Sequence, residues 1–95
     1  MSNVSTAVER DFFMNVEVSD PHGHRSVVLE GLRQSATIAE VRARALSELR
    51  LPSEVDWNLR HESTGRLLQE EQRLGELAGR ETLVRLTMQP DAGLG

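Results

Sequence analysis

The segment TIAEVRARALSELRLP, from Thr37 to Pro52, is central to the predicted fold, because no other segment of the chain predicts a helix so strongly. Its apolar residues recur at helical spacing and form one stripe, which consists of Ile38, Val41, Ala45 and Leu49. Thr37 and Glu40 form a capping box, in which each side chain bonds a backbone amide at the helix start. Pro52 is expected to end the helix, since the residue before a proline avoids helical angles. Because an isolated helix of this length is marginal in water, the stripe is expected to pack on another element.

The other regular segments predict strands. Apolar and polar residues alternate from Met14 to Ser19, which is typical of a half-buried strand. The turn-forming sequence DPHGH follows at Asp20–His24, and strand character resumes from Arg25 to Leu32, so the two segments predict a β-hairpin. Further strands or edge segments are predicted at Trp57–His61, Arg66–Leu68 and Thr82–Met88.

The last predicted strand, Thr82–Met88, carries apolar residues in a spread that favours a central strand buried on both faces. Pro90 is expected to end its hydrogen-bonded ladder, because proline has no amide hydrogen. Before this strand, Leu74 and Leu77 are expected to hold a short helical turn against the core.

Length and charge limit what kind of protein this is. Its 95 residues suffice for one domain with a modest core, and we divide them into a loose leader at 1–11, a domain at 12–89 and an extended tail at 90–95. The formal charge of −4 argues against nucleic acid or an anionic membrane as the partner. No apolar run approaches the roughly 20 residues that cross a bilayer, and no signal-peptide core is present, which favours a cytoplasmic location.

Lysine and cysteine are both absent, and all 11 basic residues are arginine. A GC-rich genome is the simplest explanation for the arginines. The functional alternative is that no side-chain amine of this chain can be acylated, which leaves the amino terminus as the one internal amine. The lack of cysteine excludes disulfides, thiolate metal sites and cysteine catalysis.

Metal-binding and catalytic patterns are weak. His22 and His24 flank Gly23 on the predicted turn, but two imidazoles without a third ligand nearby in the sequence predict a solvated turn instead of a metal site. Serine, histidine and carboxylate residues occur without a nucleophile elbow or a phosphate-binding loop. We therefore expect neither a cofactor nor an enzymatic activity.

The order of the predicted elements is hairpin, helix, short strand, edge segment and last strand, and it resembles that of ubiquitin and the β-grasp family. The segments that carry the resemblance are Met14–Val18, Thr37–Ala43, Leu51–Pro52, Gly65–Leu68, Leu74 and Glu81–Leu83. The resemblance implies an α+β, ubiquitin-like β-grasp fold, with a mixed four- to five-stranded sheet packed on one central helix. Trp57 at the start of the third strand makes the chain similar to small bacterial ubiquitin-like proteins, including those linked to type VII secretion.

The resemblance also implies a function, that of a bacterial protein modifier. In such proteins an activating enzyme adenylates the C-terminal carboxylate, here that of Gly95, which is then conjugated to target proteins through an isopeptide bond. Gly93 and Leu94 would be recognised in the tail. The implied partners are activating and conjugating enzymes, a deconjugating peptidase and the targets. The chain departs from the family pattern because it ends in Gly-Leu-Gly where conjugated modifiers usually end in two glycines.

A second departure concerns the outer sheet face, where ubiquitin carries an apolar docking patch. The third-strand position of that patch is here Arg60, beside His61. A charge there weakens apolar docking, so we expect other partners, bound by a surface that includes Trp57, Arg60 and His61. Two alternatives to conjugation remain: an adaptor of the secretion-system type that does not need its tail, and a sulfur carrier with a thiocarboxylate at Gly95.

Overall fold

The structure, a computed structural model, describes residues 13–78 and 82–91. Within these ranges the chain forms four strands and two helices. They are, in chain order, β1 (Phe13–Ser19), β2 (Ser26–Arg33), α1 (Ile38–Leu49), β3 (Trp57–His61), α2 (Leu74–Ala78) and β4 (Leu83–Pro90). The short helix α2 confirms the turn predicted around Leu74, whose side chain is fully buried.

The four strands form one mixed sheet in the order β2-β1-β4-β3. The central pair β1–β4 is parallel, and both outer pairs are antiparallel. At the outer edge of β3, an isolated bridge joins Arg60 to Leu67. Leu68 N–H donates to the Leu59 carbonyl at 2.9 Å, so the predicted edge segment joins the sheet without becoming a fifth strand. The predicted α+β fold, with a mixed sheet on one main helix, is confirmed.

The core lies between α1 and the inner sheet face. The predicted stripe is buried in full, at Ile38, Val41, Ala45 and Leu49. It packs against the inward residues of the strands, which are Met14, Val16, Val18, Leu29, Leu32, Trp57, Leu59, Val84, Leu86 and Met88. No helix among the described residues is long and apolar enough to cross a membrane.

The start of α1 is held by its own cap and by a distant loop. Thr37 Oγ1 accepts the Glu40 N–H at 3.3 Å, as the capping box predicts. The next free amides are satisfied from outside the helix, because Ile38 N–H donates to the Gln72 carbonyl at 2.9 Å and Ala39 N–H donates to the Glu70 carbonyl at 3.1 Å. These bonds fasten the segment after β3 to the first helical turn.

The end of α1 is set by Arg50 before the chain reaches Pro52. Arg50 adopts a left-handed conformation with φ 55°. Its N–H donates to the Ser47 carbonyl, and Leu51 N–H donates to the Leu46 carbonyl, both at 3.2 Å. This pair of bonds is a Schellman motif, which usually places glycine at the left-handed position.

The strand β4 differs from its prediction in two ways. Only alternate residues of β4 are buried, because α1 covers one face of the sheet, and Leu83 on the other face is 39% exposed. The expected burial of β4 on both faces is therefore wrong. Pro90 lies inside β4 opposite Trp57, and Asp91 N–H donates to the Asp56 carbonyl at 2.8 Å, so the ladder continues past the proline. The proline is tolerated because β1 pairs with β4 only as far as Thr87, which leaves the Pro90 nitrogen without a strand to face.

Candidate functional site

The surface predicted around β3 is divided between the two sides of the sheet. Trp57 lies on the inner side, where it is 9% exposed and its Nε1 donates to the Pro52 carbonyl at 2.9 Å. Arg60 is exposed on the outer side. Placing Trp57 on one surface with Arg60 was therefore wrong, because residues three apart on a strand point to opposite faces. Trp57 is a core residue with a satisfied indole.

Arg60 stands out among the charges of the outer face. Its neighbours are engaged with one another: Arg85 Nε donates to Glu17 Oε1 at 3.1 Å, and Thr87 Oγ1 donates to Glu62 Oε2 at 2.7 Å. Within the described ranges, Arg60 forms no ion pair. Its bridge partner Leu67 is 49% exposed. The outer edge of β3 thus presents a free guanidinium next to an aliphatic side chain.

The turn after β3 brings an imidazole together with two hydroxyl groups. His61 Nε2 lies 3.3 Å from Ser63 Oγ, and His61 Nδ1 lies 3.5 Å from Thr64 Oγ1. Thr64 Oγ1 also accepts the Arg66 N–H at 3.3 Å. The Gly65 N–H donates to the His61 carbonyl at 2.7 Å and closes the backbone of the turn. Gly65 itself has φ +74°, a left-handed conformation that glycine adopts without strain.

Sequence reasoning selected His61 but missed Ser63 and Thr64. The sequence HESTG contains a usable signal, because glycine after a short polar run predicts a tight turn, which folds hydroxyl groups back toward the strand end. The turn also borders an open groove, lined on its other side by Thr82, Leu83, Val84 and Arg85 of β4 and its approach.

The exit of β4 lies on the opposite end of the same strand pair. Arg42 fixes this region, since its Nη1 donates to the Trp57 carbonyl at 3.3 Å and its Nη2 lies 2.6 Å from Glu70 Oε2. A groove lined in part by Leu46 and Val55 begins beside Asp91. The predicted conjugation residue Gly95 and the tail residues Gly93 and Leu94 lie outside the described residues, as does the leader at 1–11.

The β1–β2 turn uses its acidic residue for its own backbone. Asp20 is buried, and its carboxylate accepts N–H groups of His22, His24 and Arg25 at 2.9–3.2 Å. Burial by itself raises the pKa of Asp20, but the backbone N–H groups outweigh it and hold the pKa below the usual value. The rings of His22 and His24 stack at 5.8 Å. No group of three metal-binding side chains occurs among the residues that the structure describes.

Comparison with known proteins identifies the fold. No protein-family model and no curated protein matches the sequence. Among solved structures, the chain is similar to a ubiquitin of Caldiarchaeum subterraneum, with 21% identity and a TM-score of 0.68 over 88% of this chain and all of that one. It is also similar to a designed protein based on ubiquitin, with 19% identity and a TM-score of 0.67 over 87% of this chain and 95% of that one. The protein therefore has a ubiquitin-like fold.

Proposed function

We propose that this protein is a bacterial ubiquitin-like modifier, whose Gly95 carboxylate is adenylated by an activating enzyme and then joined to target proteins. The observation that supports the proposal is the position of β4. It is an inner strand of a ubiquitin-like sheet, paired with β1 and β3, and it delivers the chain to Asp91, four residues before Gly95. A folded body whose last strand ends close in sequence to the terminal carboxylate suits a protein that another enzyme must bind and activate.

The proposed chemistry needs little from the modifier itself. A Gly95 carboxylate oxygen attacks the α-phosphorus of ATP and pyrophosphate leaves; an amine of the target then attacks the acyl carbon and AMP leaves. Glycine suits this position, because no Cβ obstructs the approach to its carbonyl carbon. The four residues after Asp91 reach at most about 13 Å, so the activating enzyme must approach the β4 exit closely, where Gly93 and Leu94 supply the contacts of the tail.

We further propose that the enzymes acting on the modifier contact Arg60 on the outer face and His61 beside it at the end of β3. The free guanidinium of Arg60 fits an acidic side chain of a partner. The variant R60E is therefore expected to slow adenylation or conjugation. The variant N58D, which adds a negative charge two residues away on the same strand face, serves as the matched control.

The test is incubation with ATP, a candidate activating enzyme from the same cell and a lysate, followed by mass spectrometry. Trypsin cleaves last after Arg85, so a modified lysine should carry the branch Leu86–Gly95. A chain lacking Gly95 is expected to form no branch, whereas a chain with the change A92S is expected to form it normally. Absence of the branch and of an adenylate on the intact chain would reject the proposal.

The same samples separate the two alternatives. A sulfur carrier would gain the mass of one sulfur-for-oxygen exchange at Gly95 without forming branches. An adaptor would keep its biological activity after deletion of Gly93–Gly95, because its binding surface lies on the folded body. A modifier loses all activity with that deletion.

A further inference from the structure

The acyl chemistry proposed above raises the question of which groups on this chain can themselves accept an acyl group. The 95 residues contain no lysine and no cysteine, and every basic residue is arginine. A guanidinium stays protonated at all relevant pH values and offers no free lone pair. Apart from the amino terminus, the chain must use a hydroxyl or an imidazole.

The described hydroxyl groups differ in what they contact. Thr37 Oγ1 accepts a helix amide, and Thr87 Oγ1 and Ser26 Oγ face carboxylates, at 2.7 Å from Glu62 and 3.5 Å from Glu17. A carboxylate at a surface is a weak base for an alcohol. Ser63 is different, because its Oγ lies 3.3 Å from an imidazole nitrogen.

We propose that Ser63 is an acyl-acceptor site, with His61 as its general base. The relevant tautomer carries its proton on Nδ1, which faces Thr64 Oγ1 at 3.5 Å, while the Nε2 lone pair receives the Ser63 hydroxyl proton. Thr64 is itself positioned by the Arg66 N–H. The arrangement has the three parts of an activated nucleophile, namely the nucleophile, a base and a group that orients the base.

The reaction balances without any redox partner. Ser63 Oγ attacks the carbonyl carbon of an acyl adenylate, the bond from that carbon to the phosphate oxygen breaks, and AMP leaves. The hydroxyl proton passes to His61 Nε2, and the product is an ester at Ser63. The donor that we infer is the C-terminal acyl adenylate of a second copy of this chain, and this identification of the donor rests on the function proposed above.

The surroundings of Ser63 suit an acceptor more than an enzyme active site. Ser63 and Thr64 are exposed on a turn with a closed backbone, so the hydroxyl is accessible while its geometry is held. The open groove beside the turn, which is lined across from Ser63 by Thr82, Leu83 and Arg85, leaves room for an approaching acyl segment. The activating energy of the reaction comes from the acyl adenylate, whose phosphate ester is a good leaving group.

The experiment uses acetyl adenylate as the probe and the full chain as the acceptor, with the acetylated residues located by tandem mass spectrometry. Ser63 is expected to be acetylated at least about tenfold faster than the exposed Ser53, which has no imidazole beside it. The variant H61Q is expected to remove that advantage, whereas S53A leaves it unchanged. Hydroxylamine should release the acetyl group from Ser63 and leave any acetyl group on the amino terminus.

Equal acetylation of Ser63 and Ser53, or an unchanged rate at Ser63 in H61Q, would overturn the proposal. Circular dichroism of each variant shows whether the fold is retained. If H61Q is unfolded, the variant T64V, which keeps Ser63 and His61, tests the contact that orients the imidazole. T64V should lower the rate at which Ser63 is acetylated. The probe needs neither Gly95 nor an activating enzyme. Failure of Ser63 to react is therefore distinct from failure of Gly95 to be adenylated.

Discussion

Asp20 is the residue at which local hydrogen bonding most clearly opposes burial. Its carboxylate is buried at the β1–β2 turn, and three neighbouring N–H groups donate to it. These N–H groups depend on the Asp20 carboxylate as their hydrogen-bond acceptor, because in the turn they have no partner on a neighbouring strand. The sequence DPHGH predicts the turn, but the burial of Asp20 depends on the hairpin packing beside the end of α1.

The pH dependence of stability should reveal this carboxylate. The pKa of Asp20 is lowered in the folded protein from its ordinary 3.8. The folded state therefore favours the ionised form, and its contribution is complete above pH 3.8 and is lost as the pH falls through the lower folded pKa. In urea unfolding between pH 7 and pH 2, D20N should be less stable than the wild type at pH 7, with the difference shrinking toward pH 2. The variant E54Q, at an exposed loop carboxylate, should show no such difference; if D20N and the wild type stay parallel, this account is wrong.

At the scale of elements, α1 is completed by parts of the chain far from it in sequence. Its last turn contains no basic residue, yet Arg25 Nη2 donates to the Leu49 carbonyl at 2.7 Å. A cation at a helix C-terminus is favourable because it meets the negative end of the helix dipole. The β1–β2 turn, the segment after β3 and the Arg50 cap together hold both ends of the helix.

The Arg50 cap leads to a stability prediction for α1. A non-glycine residue in the left-handed region is strained, and a glycine there is not. The variant R50G is expected to raise the free energy of unfolding by about 0.5–1 kcal/mol. R50A keeps a Cβ at the same φ and should give no gain. The measurement is urea unfolding at pH 7; a loss of stability in R50G would show that the arginine side chain contributes more than the backbone strain costs.

The strand β2 shows an element-level feature that periodicity does not reveal. Its pairing with β1 shifts between Met14 and Val16, and Gly31 takes φ +70° within the strand. The extra residue in β2 allows both Leu29 and Leu32 to face the core, although they are three positions apart. The irregularity lets β2 continue to Arg33, past Glu30 and Gly31, where the alternating pattern in the sequence is broken.

For the molecule as a whole, composition limits which products can form if the function proposed above holds. Because the chain has no lysine, conjugates of the chain with itself could not use side-chain amides. When its amino terminus is acetylated beforehand, conjugation reactions should yield amide branches only on other proteins, and any self-conjugate should be an ester that hydroxylamine cleaves. Gel analysis with and without hydroxylamine measures this. A hydroxylamine-resistant ladder of self-conjugates from the blocked protein would contradict the prediction.

The whole fold also explains why the sequence placed the elements correctly but led to Trp57 and Arg60 being combined in one surface. The helix, the hairpin and the alternation in β1 are local patterns that a short window contains. The sides of Trp57 and Arg60 follow from the same alternation once the strand is placed against α1. The sequence HESTG indicates the turn at Gly65, but the distance between the His61 imidazole and the Ser63 hydroxyl depends on how the folded turn closes.

The helix with its buried stripe, the hairpin, the α+β class and the lack of any lysine or cysteine side chain follow from the amino-acid sequence, because each is a property of composition or of near neighbours. The one-sided covering of β4, the ladder that passes Pro90 and the distant segments that complete both ends of α1 follow instead from the tertiary fold. These features depend on which strands become neighbours in the sheet, and that choice is made by burying one common core, which no local window of sequence contains.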